Sequence, residues 1–218
     1  GIPAGIGIVE GGTLPYLPSA LAQRERNVEN RASEDPEARC YQVGVPRIMY
    51  MPHPLQIVQT PAQITILSEY AHTQRNIYID REHVPEGIQW YMGDSRGRWE
   101  GDTLVVDVTR FTGETWFDRA GNYHSEALHV VERFTPTGPD HLLYEATIED
   151  PNVFTRPFTL AIAFRRNAVE NLEVWEEACH ENNGIQMHHF FDVGYEIFPG
   201  ITPEEARAAR EAFEGEQQ

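Results

Sequence analysis

The chain is poor in cysteine, in positive charge and in long apolar runs, and each shortage excludes a class of protein. Its two cysteines, Cys40 and Cys179, lie far apart with no CxxC or paired Cys/His spacing, which argues against a zinc-finger type of site. Lys and Arg number 17 against 34 Asp and Glu, giving a net charge of −17, and the cations are arginines scattered along the sequence. Such a surface repels phosphate backbones and anionic lipids, so neither a nucleic-acid nor a membrane partner is expected. No run approaches the ~18 apolar residues of a membrane helix. No redox-cofactor motif is present; Ser95 and Ser125 lack the GxSxG context of a hydrolase nucleophile, and Gly93-Asp94-Ser95-Arg96-Gly97 reads as a turn. No bound cofactor is therefore expected.

What is present is strand. In Arg98–Phe111 (RWEGDTLVVDVTRF), Gly101-Asp102 is a two-residue turn signal set before the β-branched run Thr103-Leu104-Val105-Val106. Leu104, Val106 and Val108 point to one face; Thr103, Val105, Asp107, Thr109 and Phe111 point to the other. Apolar residues on both faces predict a central strand covered on both sides. Further strands are expected at Arg47–Met51, Leu55–Gln59, Gln63–Tyr70, Arg75–Asp80, His124–Phe134, His141–Glu149, Phe158–Arg166 and Leu172–His180. Nine or ten strands with few helices predict an all-β fold, an antiparallel lipocalin-like (calycin-type) barrel, with a β-sandwich as the alternative.

Flanking segments complete the organisation. Residues 1–46 read as an N-terminal arm with a short helix from Ser19 to Ala32, 47–183 as the barrel, and 184–218 as a C-terminal extension. That extension carries a capping box, Thr202-Pro203-Glu204-Glu205, and a helix to about Phe213. No signal peptide is visible, and a chain beginning at Gly1 without an initiator Met is expected to have been processed or trimmed. In an oxidising compartment Cys40 and Cys179 could close one long loop; in a reducing one they would be two buried thiols.

Chemistry is expected first in Trp175–Asn183 (WEEACHENN), where strand geometry would put Glu176 and His180 on one face. A carboxylate beside an imidazole can fix one tautomer and make the His a general acid or base. His180 is accordingly the expected acid/base, with Glu176 or Glu181 orienting it. His124 is a second polar contact, and Asp107 is a partner because a carboxylate inside a central strand needs a reason to be there. In His124–Phe134, Glu132 and Arg133 read as structural ion pairs with neighbouring strands. Trp99, Trp116, Tyr123 and Phe134 are the expected aromatic lining of a substrate pocket. A divalent metal held by His180, His188, His189, Glu181 and Asp192 is disfavoured, since the spacing fits no HExxH pattern and adjacent histidines point apart.

The runs GRWEGDTLVVDV (Gly97–Val108), HSEALHVVERF (His124–Phe134), YEATIEDPNVFTRPFT (Tyr144–Thr159) and EEACHENN (Glu176–Asn183) resemble a large family of uncharacterised bacterial proteins that usually carry export signals. Members commonly read ACHEGN where this chain has Ala178–Asn183, with Asn182 in place of the Gly. The resemblance spans roughly Asp35 to Asn183. It implies a periplasmic or secreted protein, and export in turn implies a Cys40–Cys179 disulfide. It supplies no reaction. The expectation is therefore an acid–base enzyme (lyase, isomerase or hydrolase) acting on a small hydrophobic or aromatic molecule in a barrel pocket. The alternative is a non-catalytic lipocalin-like binding protein; either is compatible with a homo-oligomer.

Overall fold

The structure is a computed structural model, and it describes residues 14–169 and 172–181. It forms two compact units, Gly1–Glu176 and Glu177–Gln218. The first unit holds one eight-stranded sheet, curled into a half-barrel, whose strands lie side by side in sequence order. They are β1 (Leu55–Gln59), β2 (Gln63–Ser68), β3 (Gln74–Ile79), β4 (Asp94–Glu100), β5 (Thr103–Thr109), β6 (His129–Gly138), β7 (His141–Glu149) and β8 (Phe158–Arg165).

The predicted hairpin is present and sets the register at the sheet's centre. Glu100 faces Thr103 across Gly101-Asp102, and Gly101 takes the left-handed φ of +62° that a tight hairpin turn demands. Pairing then continues Gly97↔Val106 and Val106↔Glu132↔Ala146 through β4, β5, β6 and β7. Leu104, Val106 and Val108 face the core, and Val105 is fully buried on the opposite face, so the central strand is covered on both sides as expected.

One step departs from an up-and-down meander. β3 and β4 pair in parallel, Ile77↔Ser95 to Ile79↔Gly97. Parallel neighbours cannot be joined by a tight turn, and the chain from Asp80 to Gly93 makes the required crossover. Gly97 lets β3 close down on β4. A Cβ there would lie 2.8 Å from Ile77 Cγ2 and 2.9 Å from Ile79 Cδ1.

The core face carries Ile64, Ile66, Ile77, Val130, Tyr144 and Ile148, all nearly inaccessible. An ion pair lies among them. Arg75 Nη1 donates to Glu132 Oε1 at 2.9 Å and Nη2 donates to Glu132 Oε2. Arg75 Nε and Nη2 also donate to Ser95 Oγ at 3.1 and 3.0 Å, and Tyr144 Oη donates to Glu132 Oε1 at 2.8 Å. Every charged end has a partner, which is what makes burial of the pair tolerable. Arg133, on the other face, pairs with Glu100 at 3.0 Å. Both residues thus have the structural role read from the sequence.

Several expected elements differ. Arg47–Tyr50 is a 3-10 turn rather than a strand, because Arg47 is drawn in to bond Asp35 at 2.7 Å and both side chains are buried. His124 to Leu128 precedes the strand instead of starting it, since Ser125 is tied to Asp150 by its backbone N–H and its hydroxyl. The described residues from Leu172 to His180 form no strand and end in a turn over 179–181, so the sheet has eight strands among the described residues where nine or ten were expected. The helix, α1, runs Pro18–Glu34 and is started by Pro18 without a side-chain cap, so Ser19 does not cap it. The helix expected at Thr202–Phe213 lies outside the described residues, as do His188, His189 and Asp192.

Cys40 and Cys179 are both disulfide-bonded. No described helix is long and apolar enough to cross a membrane.

Candidate functional site

On the side of β5 away from the core, alternation presents Asp107 and Thr109, with cross-strand partners Arg96 and Asp94 on β4. Asp107 pairs with Val131 on β6, and His129, two residues earlier, shares that face. Register alone therefore brings Asp94, Asp107 and His129 together. The fourth member, His83, comes from the crossover that the parallel β3–β4 step imposes.

The four side chains form one chain of hydrogen bonds. His83 Nδ1 lies 2.8 Å from Asp94 Oδ2, and His83 Nε2 lies 2.8 Å from Asp107 Oδ1. The other oxygen, Asp107 Oδ2, lies 2.9 Å from His129 Nε2. Asp94 is further held by Arg96 Nη2 at 2.7 Å and by the Val84 N–H at 3.1 Å. An ionised carboxylate can only accept, so the His83 bridge is complete when a proton sits on each ring nitrogen.

Electrostatics agrees with that geometry. The hydrogen bond from His129 holds the Asp107 carboxyl below its ordinary range, assisted by His83 and opposed by partial burial. For Asp94, burial pushes upward, but the bonds from Arg96, His83 and the Val84 N–H outweigh it and the carboxyl titrates low. The hydrogen bond to Asp107 raises His129 above its usual 6.5 despite burial. Asp107 thus fixes the ring of His129 through Nε2, and Nδ1 has no protein partner among the described residues.

His129 lines a cavity of about 460 Å³, a size that suits a small molecule. Its walls come from the crossover (Glu86, Gly87, Gln89), the end of β5 (Thr109, Arg110) and the segment entering β6 (Glu126 to Leu128), with Asn152 beside them. The lining is divided about evenly between polar and apolar surface. No hydroxyl or thiol is hydrogen-bonded to His129 among the described residues, so the arrangement has an oriented imidazole without an attached nucleophile.

Of the residues singled out from sequence, Asp107 alone belongs to this cluster. His124 is buried against Phe111 and Phe117, where Nδ1 donates to the Ser125 carbonyl at 2.8 Å and Nε2 lies 2.6 Å from Thr115 Oγ1. Burial lowers its pKa to about 4, so it is a neutral core histidine rather than a contact across a cavity. Glu176 ends the first unit, with its side chain 79% exposed and 4.0 Å from His72. His180 and Glu181 lie in the second unit, in the turn over 179–181.

The four aromatic candidates do not converge. Trp99 is 44% exposed at the end of β4, and Phe134 packs on Tyr144 in the core with ring centroids 5.0 Å apart. Trp116 and Tyr123 bridge each other in the loop after β5, and Tyr123 Oη donates to the Ala20 carbonyl at 3.1 Å. None of the four lines the cavity. Sequence reasoning missed His83 and His129. For His129 a signal existed in its alternation with Val131 and Arg133; for His83, in a loop 24 residues from Asp107, there was none.

No family model, curated protein or solved structure matches this chain.

Proposed function

We propose that this protein is an acid–base enzyme in which His129 carries the proton and Asp107 orients it. The observation that carries the reading is the 2.9 Å contact between His129 Nε2 and Asp107 Oδ2 beside a cavity that His129 itself lines. Pairing through Nε2 leaves Nδ1 as the atom that accepts or returns a proton, and a His raised above 6.5 holds that proton near neutral pH. Because no nucleophile is attached, the chemistry that fits is proton abstraction from carbon or activation of a water, as in isomerases, lyases and some hydrolases. The walls mix apolar surface with Gln89, Arg110 and Asn152, which suits a small molecule carrying both an apolar body and a polar group.

The test is turnover. A panel of small carbon acids is incubated in D2O and exchange followed by NMR, and a panel of lactones and esters is assayed for hydrolysis. Wild-type activity on at least one substrate, falling ~10²-fold or more in His129→Gln, supports the enzyme. Equal activity in the variant overturns it.

A second reading is a binding protein in which the histidine–aspartate chain braces the crossover. What favours it is that His83 and both aspartates satisfy one another without any substrate. Saturable binding with no turnover across both panels would select it. A lipocalin-like barrel is the finer fold proposal; the neighbour order β1 to β8 supports it, while the parallel β3–β4 step departs from it. Export is the matching proposal for location, supported by the disulfide-bonded cysteines.

A further inference from the structure

Arg110 carries two costs that its packing does not explain. It stands immediately after β5 with φ +65°, a left-handed conformation that glycine or asparagine adopts readily and arginine does not. Hydrogen bonding pins it there. The Trp90 N–H donates to the Arg110 carbonyl at 2.9 Å, and the Thr112 N–H donates to the Trp90 carbonyl at 3.2 Å. Of the five described non-glycine residues with positive φ, only Arg110 lines the cavity.

The second cost is polar. Arg110 Nε is buried with no hydrogen-bond partner among the described residues. The nearest opposite charge is Glu86, whose oxygen is 4.0 Å from Arg110 Nη1 and whose side chain is 89% exposed. A surface pair at that distance does little to hold a guanidinium. A strained backbone and a buried, unpaired Nε therefore meet on one cation in the wall that also holds His129, and with Nε closed to solvent it is the Nη1 and Nη2 end that a ligand meets.

We infer that Arg110 is the substrate-anchoring residue of this cavity, and that its ligand is a small organic molecule bearing one carboxylate. This rests on the enzyme reading only for the word substrate; the anchoring itself does not need catalysis. A carboxylate matches the guanidinium fork by two parallel charge-assisted hydrogen bonds. A dianion such as a phosphate fits less well, because Glu86 and Glu126 also line the cavity and the chain as a whole is strongly acidic. Glu126 is engaged by Gln89 Nε2 at 3.2 Å, and Glu86 has solvent to swing into, so neither blocks the fork. The ligand then sits with its charged end on Arg110 and its remaining atoms beside the free Nδ1 of His129.

The experiment is an NMR titration of the full chain with sodium benzoate, using benzamide as the neutral probe of the same shape. Benzoate is expected to shift resonances of Thr109, Arg110 and His129 saturably and to bind at least about tenfold more tightly than benzamide. Arg110→Gln is expected to erase that preference. If benzoate and benzamide bind wild type equally, or if the preference survives in Arg110→Gln, the anchor is wrong. The wild-type comparison stands even if the variant fails to fold. Anion preference erased by Arg110→Gln, with no turnover by wild type on either substrate panel, would sink the enzyme reading and leave the anchor standing.

Discussion

His129 Nε2 and Asp107 Oδ2 lie 2.9 Å apart across β5 and β6, and the strand register alone puts them there. Asp107 spends its other oxygen on His83, 2.8 Å away, so one carboxylate ties a sheet histidine to a crossover histidine. The pair makes the site an extension of the fold, because the residues that align the imidazole also hold the cavity wall.

Stability should depend on pH through His129 in a defined direction. Its folded pKa lies above the ordinary 6.5, so its contribution is fully present below about 6.5 and is lost as pH rises through the raised value. The Tm difference between wild type and His129→Gln should be largest below the ordinary value of 6.5 and shrink as pH rises through the raised one. A difference that grows with pH would contradict the assignment.

His124 should act with the opposite sign. Its folded pKa of about 4 lies below the ordinary 6.5, so the unfolded chain binds the proton more readily. Stability is lost as pH falls from about 6.5 towards 4, on the order of 3 kcal/mol in total. Urea denaturation of wild type and His124→Gln across that range should show the variant losing less on acidification. Parallel losses would mean that His124 is not held neutral.

The core ion pair makes a sharper prediction. Glu132→Ala leaves Arg75 charged and buried with only Ser95 Oγ as a partner, and should destabilise by about 3–5 kcal/mol. Arg75→Met with Glu132→Leu removes both charges and should recover most of that loss in denaturant titrations. If the double variant is no better than the single one, the pair contributes more than mutual neutralisation.

Gly97→Ala tests the close approach of β3 to β4. The added methyl meets Ile77 and Ile79 within 2.9 Å and should cost about 1–3 kcal/mol by urea denaturation. Because Ile79 leads directly into the crossover, the resonances of His83 should shift as well. A neutral substitution would show that the two strands separate easily.

Local features were legible in the sequence and long-range ones were not. The Gly-Asp turn and the β-branched run after it set β4 and β5, because turn geometry and alternation are local properties. Asp107 could be flagged, since a carboxylate inside a central strand implies a partner. The partner's identity depended on which strand paired with β5 and in what register, and on a crossover passing over Asp107. Neither is written in a short window. Arg47 likewise looked like the start of a strand until its buried carboxylate partner was known.

The most direct test is the titration of the His129 imidazole by NMR in wild type and in Asp107→Asn. Wild type should titrate above 6.5 with the proton retained on Nε2, and Asp107→Asn should bring the value down while the remaining histidines away from the cluster stay unchanged. If His129 titrates at or below its ordinary value in wild type, or does not respond to the loss of Asp107, then Asp107 does not orient it and the acid–base site is wrong.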